Sequence, residues 1–192
     1  MTAIDPEAFE IAVVSSVRGT VLEIGPGTGV NFDDLPTDIT WIGLEPDDDS
    51  LRRLRSRARR FSRSSRVIGG VAEAIPLDDH SVDTVLSTLV LCSVENPELV
   101  LSEIKRVLKP GGRFAFFEHV AARPRSITRL AQRMSTFGRR RHPGDCDPLR
   151  DTLDTIRANF ASVEVTEYRT GGLPGLRMPH IAGWAGDGVA RA

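Results

Sequence analysis

Residues 19–29 constrain this chain more than any other stretch, because the short apolar run Val21-Leu22-Glu23-Ile24 leads directly into Gly25-Pro26-Gly27-Thr28-Gly29. A run of that length fits a parallel strand covered on both faces. Glycines at alternate positions then let the backbone turn tightly and approach a ligand closely, since no Cβ intervenes. The dinucleotide fingerprint G-x-G-x-x-G would require glycine or alanine at position 30, where this chain has Val30. The spacing is instead E-x-G-x-G-x-G. Its acid, Glu23, would repel a pyrophosphate and could orient an ammonium group, so the loop favours a positively charged ligand. Val30 and Glu23 together argue against a nicotinamide dehydrogenase.

A chain of 192 residues is long enough for one domain with a substantial core and too short for two ordinary ones. A formal net charge of −1 provides no global field to recruit nucleic acid or an anionic membrane. No stretch approaches the roughly 20 apolar residues that cross a bilayer. Met1-Thr2-Ala3-Ile4-Asp5-Pro6-Glu7 lacks the basic and apolar regions of a secretory signal. Cys92 and Cys146 form no disulfide framework and are expected as free thiols. The expectation is a soluble, cytoplasmic protein.

Strand-like and helix-like patterns alternate along most of the chain, which argues for an α/β sheet. Helical patterns cover 7–17, 48–61 and Pro97–Leu108, the last closed by Lys109-Pro110-Gly111-Gly112. A further helix carries Leu149, Leu153, Ile156 and Phe160. Strands are expected at 19–24, 39–45, Val67-Ile68, Val82–Thr88, Arg113–Glu118, Val163–Tyr168 and Ile181–Trp184. The fold class expected is a single Rossmann-like, doubly wound, seven-stranded sheet, mostly parallel with an antiparallel last strand. Residues 1–18 form an N-terminal helical segment, 122–147 an inserted segment, and 186–192 a frayed tail.

Ligands of such sheets sit beyond the carboxyl ends of the parallel strands. Glu45 ends the second strand about twenty residues past the glycine loop, where a carboxylate accepts hydrogen bonds from a ribose diol. Glu45-Pro46-Asp47 could alternatively cap the next helix. His119 ends the fifth strand and is a candidate base near neutral pH or a loop-fixing residue. His142 and His180 fall in connections on the same face, so all three histidines are catalytic candidates. No metal is expected, because the His, Cys and Asp residues lack C-x-x-C or H-x-x-x-H spacing. The arginines from Arg52 to Arg66 read as a solvated surface, and Arg139, Arg140 and Arg141 as candidates for steering an anionic acceptor.

Taken together, the glycine loop, Thr88-Leu89-Val90-Leu91-Cys92-Ser93-Val94, Arg106-Val107-Leu108-Lys109-Pro110-Gly111-Gly112, Glu118-His119-Val120-Ala121, Gly144-Asp145-Cys146 and Pro179-His180-Ile181 carry a family resemblance. Over roughly residues 20–185 the chain resembles the class I S-adenosylmethionine-dependent methyltransferases, and within them the alkyl-thiol S-methyltransferases. The resemblance implies S-adenosyl-L-methionine as cofactor and S-adenosyl-L-homocysteine as product. It places Gly25, Gly27, Gly29 and Asn31 around the cofactor, with Glu23 orienting its amino acid end and Glu45 and Pro46 at its ribose. Ala72 and Glu73 would lie over adenine, although Val71 stands where the family usually has aspartate. Thr88, Leu89 and Cys92 would form a shelf beside the methionine portion. Animal members carry an apolar N-terminal membrane anchor that this sequence does not show, so stable membrane insertion is not expected. The expected partner is a small-molecule methyl acceptor rather than nucleic acid. The resemblance implies a thiol sulfur as the acceptor atom; O-, N- or C-methylation of a small metabolite, and a non-catalytic cofactor-binding relative, are the alternatives.

Overall fold

The strand and helix periodicities resolve into a seven-stranded sheet with helices on both faces. A computed structural model describes residues 6–62, 64–136, 144–170 and 178–188. The strands are β1 Thr20–Ile24, β2 Thr40–Glu45, β3 Arg66–Gly69, β4 Val82–Thr88, β5 Leu108–His119, β6 Ser162–Thr170 and β7 Met178–Gly186. The helices are α1 Pro6–Ser15, α2 Asp48–Phe61, α3 Pro97–Val107, α4 Ile127–Thr136 and α5 Thr152–Asn159. Strand order is β3-β2-β1-β4-β5-β7-β6. Neighbours pair in parallel except at β7, which runs antiparallel to both β5 and β6. The chain winds outward from β1 in one direction to β3, then returns to the other side of β1 with β4. The switch point, where such sheets leave a crevice, therefore lies between β1 and β4.

Alternation along the strands sorts side chains into two cores. Leu22, Ile24, Val85, Phe114 and Phe116 pack with Val100, Leu101 and Ile104 of α3 and with Ile156 of α5. Val21, Leu86, Ala115 and Phe117 face the other way, onto Val13 and Val14 of α1 and Leu54 and Ala58 of α2. The arginines of α2 lie mostly exposed on its outer side, as expected. β5 begins earlier than the sequence pattern indicated. Its pairing with β4 starts at Leu108, opposite Val82, and resumes at Arg113, opposite Thr84, after a register shift; Gly111, at φ +81°, turns within the extra residues 109–112. α4 occupies part of the segment that looked irregular in sequence. Among the described residues, no helix is long and apolar enough to cross a membrane.

One charged side chain interrupts the second core. Glu23 is fully buried and pairs in register with Gly43 of β2. A Cβ at Gly43 would overlap the Trp41 ring, so the missing side chain is what lets the indole lie across the strand. Trp41 Nε1 then donates to Glu23 Oε2 at 2.7 Å, and Asn31 Nδ2 donates to Oε1 at 2.7 Å. The same Asn31 amide donates to Thr88 Oγ1 at 2.9 Å, joining the end of β4 to the turn after β1. Burial pushes the Glu23 carboxyl up to about 7 against the lowering effect of the two donors.

Two expectations follow for stability. Trp41→Phe keeps an aromatic ring but strands Glu23 Oε2, and should lower the unfolding free energy in urea by about 1–3 kcal/mol. Because folding raises the Glu23 pKa from 4.5 to about 7, its stabilising contribution is complete below about pH 4.5 and is lost as pH rises through about 7. Wild type should therefore lose on the order of 2–3 kcal/mol relative to Glu23→Gln across that interval. Urea midpoints measured at several pH values should give a lower but flatter curve for the variant.

Candidate active site

A cleft of about 680 Å³ opens at the carboxyl edge of the sheet, over the switch point. Ligand pockets commonly span about 300–1,000 Å³. Gly25 follows β1, Leu44 to Asp47 close β2, Val71 to Glu73 follow β3, and Leu89, Val90 and Ser93 to Glu95 follow β4; Gly144 completes the wall. Glu45, Asp47, Glu73 and Glu95 are its ionisable members, and none of the described lining residues is lysine or arginine. Such a wall suits a cationic ligand and opposes a phosphate. Apolar Leu44, Val71, Ala72, Leu89, Val90 and Val94 supply most of the remaining surface.

The three glycines after β1 do different jobs. All have positive φ, between 56° and 86°. A Cβ at Gly25 would meet Val90 at 2.6 Å, and one at Gly29 would run into the Phe32 ring. At Gly27 a Cβ would meet nothing within 4 Å, so this glycine leaves open space. Gly27 N–H donates to Glu45 Oε2 at 2.9 Å, and Asp47 N–H donates to Oε1 at 3.0 Å. The helix-capping alternative for this segment falls to Asp47, whose side chain accepts from Ser50 N–H at 2.7 Å at the start of α2. Glu45 is thus held beside the glycine turn, and each carboxylate oxygen keeps a further acceptor position.

On the opposite side, a second buried glutamate shapes the turn after β4. Glu118 Oε1 accepts from Ser87 Oγ at 2.6 Å and from the N–H groups of Val90 at 3.0 Å and Leu91 at 3.1 Å. Burial raises its carboxyl above the ordinary range. Leu89 adopts φ +59°, a conformation costing roughly 1–2 kcal/mol for a side-chain-bearing residue. Arg150 Nη1 fastens the same turn by donating to Leu91 O at 2.6 Å and Val94 O at 2.8 Å. Glu73 Oε1 accepts from Glu95 N–H at 3.0 Å and Asn96 N–H at 3.3 Å, so this cleft residue also buttresses the entry to α3.

The structure therefore separates the expected cofactor residues into groups. Gly25, Glu45, Pro46, Ala72, Glu73 and Leu89 line the cleft. Gly27 and Gly29 shape the turn, while Glu23, Asn31 and Thr88 form the network behind it. Cys92 is buried, and its sulfur stands 3.9 Å from His119 Nδ1. Cys146 approaches the same nitrogen at 3.5 Å. A hydrogen bond from Cys92 lowers the Cys146 thiol, and the same bond together with burial raises the Cys92 thiol. His180 is buried, with Nδ1 against Met178 O at 3.1 Å and its ring 4.3 Å from that of His119. Burial, then the neighbouring His119, lower His180 to about 4. A thiol of about 8.5 does not yield its proton to so weak a base. His142 and Arg139 to Arg141 lie outside the described residues.

Sequence reading missed three positioning groups. Glu118 is an acid directly after the apolar run Phe114–Phe117 in the same strand, a placement that signals a buried polar network. Trp41 and Arg150 carry no such local signal, because their partners lie on other elements. Glu118→Ala would leave the Ser87 hydroxyl and two backbone N–H groups without an acceptor. It should cost about 3 kcal/mol or more in urea unfolding, with Glu118→Gln much milder because it keeps an acceptor oxygen.

A family model described as a methyltransferase domain matches residues 22–116. The rat thiol S-methyltransferase TMT1B is 37% identical over 174 residues, covering 86% of this chain and 70% of that protein. The human thiol S-methyltransferase TMT1A is 33% identical over 170 residues, covering 86% and 70%. The crystal structure of a SAM-dependent methyltransferase from Aquifex aeolicus superposes with a TM-score of 0.62 at 15% identity, covering 94% of this chain and 89% of that one. At that identity the superposition speaks for the fold alone.

Proposed function

The chain belongs to the same S-adenosylmethionine-dependent methyltransferase family as the thiol S-methyltransferases TMT1A and TMT1B, and we propose that it methylates the sulfur of a small thiol. The observation that carries this reading is the acid-lined cleft over the switch point, on whose wall Glu45 is held by the N–H of Gly27. That wall fits a ligand bearing sulfonium and ammonium charges. When bound, S-adenosylmethionine supplies a methyl group already activated by its sulfonium.

The residues of the chain then serve to bind, align and exclude water. Glu45 holds the ribose diol beside Gly27, and Pro46 stiffens the strand end. Ala72 and Glu73 flank the adenine side. Leu89 and the turn that Glu118 gathers present an apolar shelf to the methionine portion. Glu23 acts at one remove, by fixing Asn31 and Thr88 and through them the glycine turn. His119 stands at the acceptor side among two thiol groups, and His180 supports its ring. Residues 122–136 are assigned to the acceptor side. Their helix α4 exposes Ile127, Leu130 and Met134 at i, i+3 and i+7, a surface suited to an apolar thiol. With both described cysteines free, the reaction is assigned to a reducing, cytoplasmic setting.

Calorimetric titration with S-adenosylhomocysteine should show saturable binding to wild type. Glu45→Ala should weaken it about 10–100-fold, the value of lost hydrogen bonds to a charged acceptor. Equal affinity would remove Glu45 from the ribose site. Transfer of labelled methyl to a panel of thiols, amines, phenols and activated carbons should favour thiols, and labelling of another nucleophile class would overturn S-methylation.

A further inference from the structure

Cys92, His119 and Cys146 come from three separate places: the turn after β4, the end of β5 and the segment before α5. Their ligand atoms all lie within 4.8 Å of one another. His119 Nδ1 is 3.9 Å from Cys92 Sγ and 3.5 Å from Cys146 Sγ. A tetrahedral zinc ion, with bonds of about 2.3 Å to sulfur and about 2.0–2.1 Å to nitrogen, sets nitrogen and sulfur ~3.6 Å apart. The two nitrogen–sulfur edges are close to that length. Two thiolates and an imidazole are also the donor set that zinc and similar soft divalent ions select.

Several hydrogen bonds build the triangle. Asp147 N–H donates to Cys92 O at 2.7 Å, fixing Cys146 beside the turn. Arg150 grips Leu91 O and Val94 O, and its own carbonyl accepts from Ala121 N–H at 3.1 Å, just beyond His119. Glu118 is buried beneath the same turn, and its Oε2 finds no hydrogen-bond partner among the described residues. A cation held by the turn would bring positive charge toward that carboxyl.

We propose that Cys92, His119 and Cys146 form a three-ligand site for zinc or a similar soft divalent cation, whose fourth position takes the sulfur of the acceptor thiol. The proposal deepens the methyl-transfer reading and rests on it. Three protein ligands with one position left open is the pattern of catalytic zinc. Cys146 is exposed, and Ser93 and Gly144, close in sequence to the two sulfurs, line the cofactor cleft. A thiol that binds the ion loses its proton to solvent and stays a thiolate at neutral pH. An electron pair on its sulfur forms the bond to the methyl carbon as the carbon–sulfonium bond breaks, that pair returning to the donor sulfur. Thiolate and sulfonium charges cancel, giving a neutral thioether and S-adenosylhomocysteine with the metal unchanged. The thioether, now uncharged, is the weaker ligand and leaves.

Titration of the full-length protein with cobalt(II), after reduction by a phosphine, tests the site without relying on activity. Wild type should take up about one equivalent with a near-ultraviolet thiolate-to-cobalt band. Cys146→Ala, a surface change that spares the fold, should reduce the band by roughly half. His119→Ala should weaken cobalt binding by about 100-fold or more. Added 2-mercaptoethanol should shift the visible cobalt bands of wild type. Absence of the thiolate band, a band unchanged in Cys146→Ala, or a Cys92–Cys146 disulfide persisting in reductant would overturn the metal site. Visible bands indifferent to the added thiol would overturn the open fourth position. If cobalt binds as stated but no thiol is methylated, the functional reading fails and the metal site stands. If metal-stripped protein methylates thiols at the full rate, the metal's part in transfer is overturned while methyl transfer stands.

Discussion

A carboxylate sealed inside the sheet governs the rest of this molecule. Glu23 has no solvent, and its carboxyl is held by Trp41 and Asn31, which each supply a donor at 2.7 Å. An unpartnered charge there would cost several kcal/mol. The two donors are therefore obligatory, and each fixes something beyond itself. Trp41 reaches the acid only because Gly43 has no side chain, and Asn31 carries the constraint onward to Thr88. The glycine turn between Glu23 and Asn31 thus has both ends determined before any ligand arrives.

Two further glutamates repeat the device at neighbouring strand ends. Glu45 collects the N–H groups of Gly27 and Asp47, and Glu118 collects Ser87, Val90 and Leu91. Each converts a flexible connection at the carboxyl edge into a wall of the cleft. They differ in exposure to the ligand. Glu45 lines the cleft, whereas Glu23 and Glu118 act from behind it. Backbone organisation of this kind places the groups in advance, which is where an enzyme that aligns two small molecules gains its advantage.

The fold was legible in the sequence because its signals are local. α2 falls on 48–61 and β4 on Val82–Thr88, as periodicity and bounding residues indicated. β5 began early because sheet pairing across a register shift recruited residues that read as a helix stop. The acid at the end of β2 was legible because strand end and spacing coincide. The Cys92–His119–Cys146 grouping was not, since its members lie 27 residues apart on each side and carry no recognisable ligand spacing. The hydrogen bond from Asp147 to Cys92 and the grip of Arg150 hold the stretch around Cys146 against that turn. Long-range pairing of this sort leaves no periodic trace.

That same tether has a thermodynamic meaning. The turn from Leu89 to Val94 is a wall of the cleft, yet it is fastened to residues 147–150, which follow the 122–147 segment. With the donor in the cleft and the acceptor beyond this partition, as proposed, occupancy on one side would alter the freedom of the other. Two reactants housed this way are energetically linked, so the affinity measured for one depends on whether the other is present.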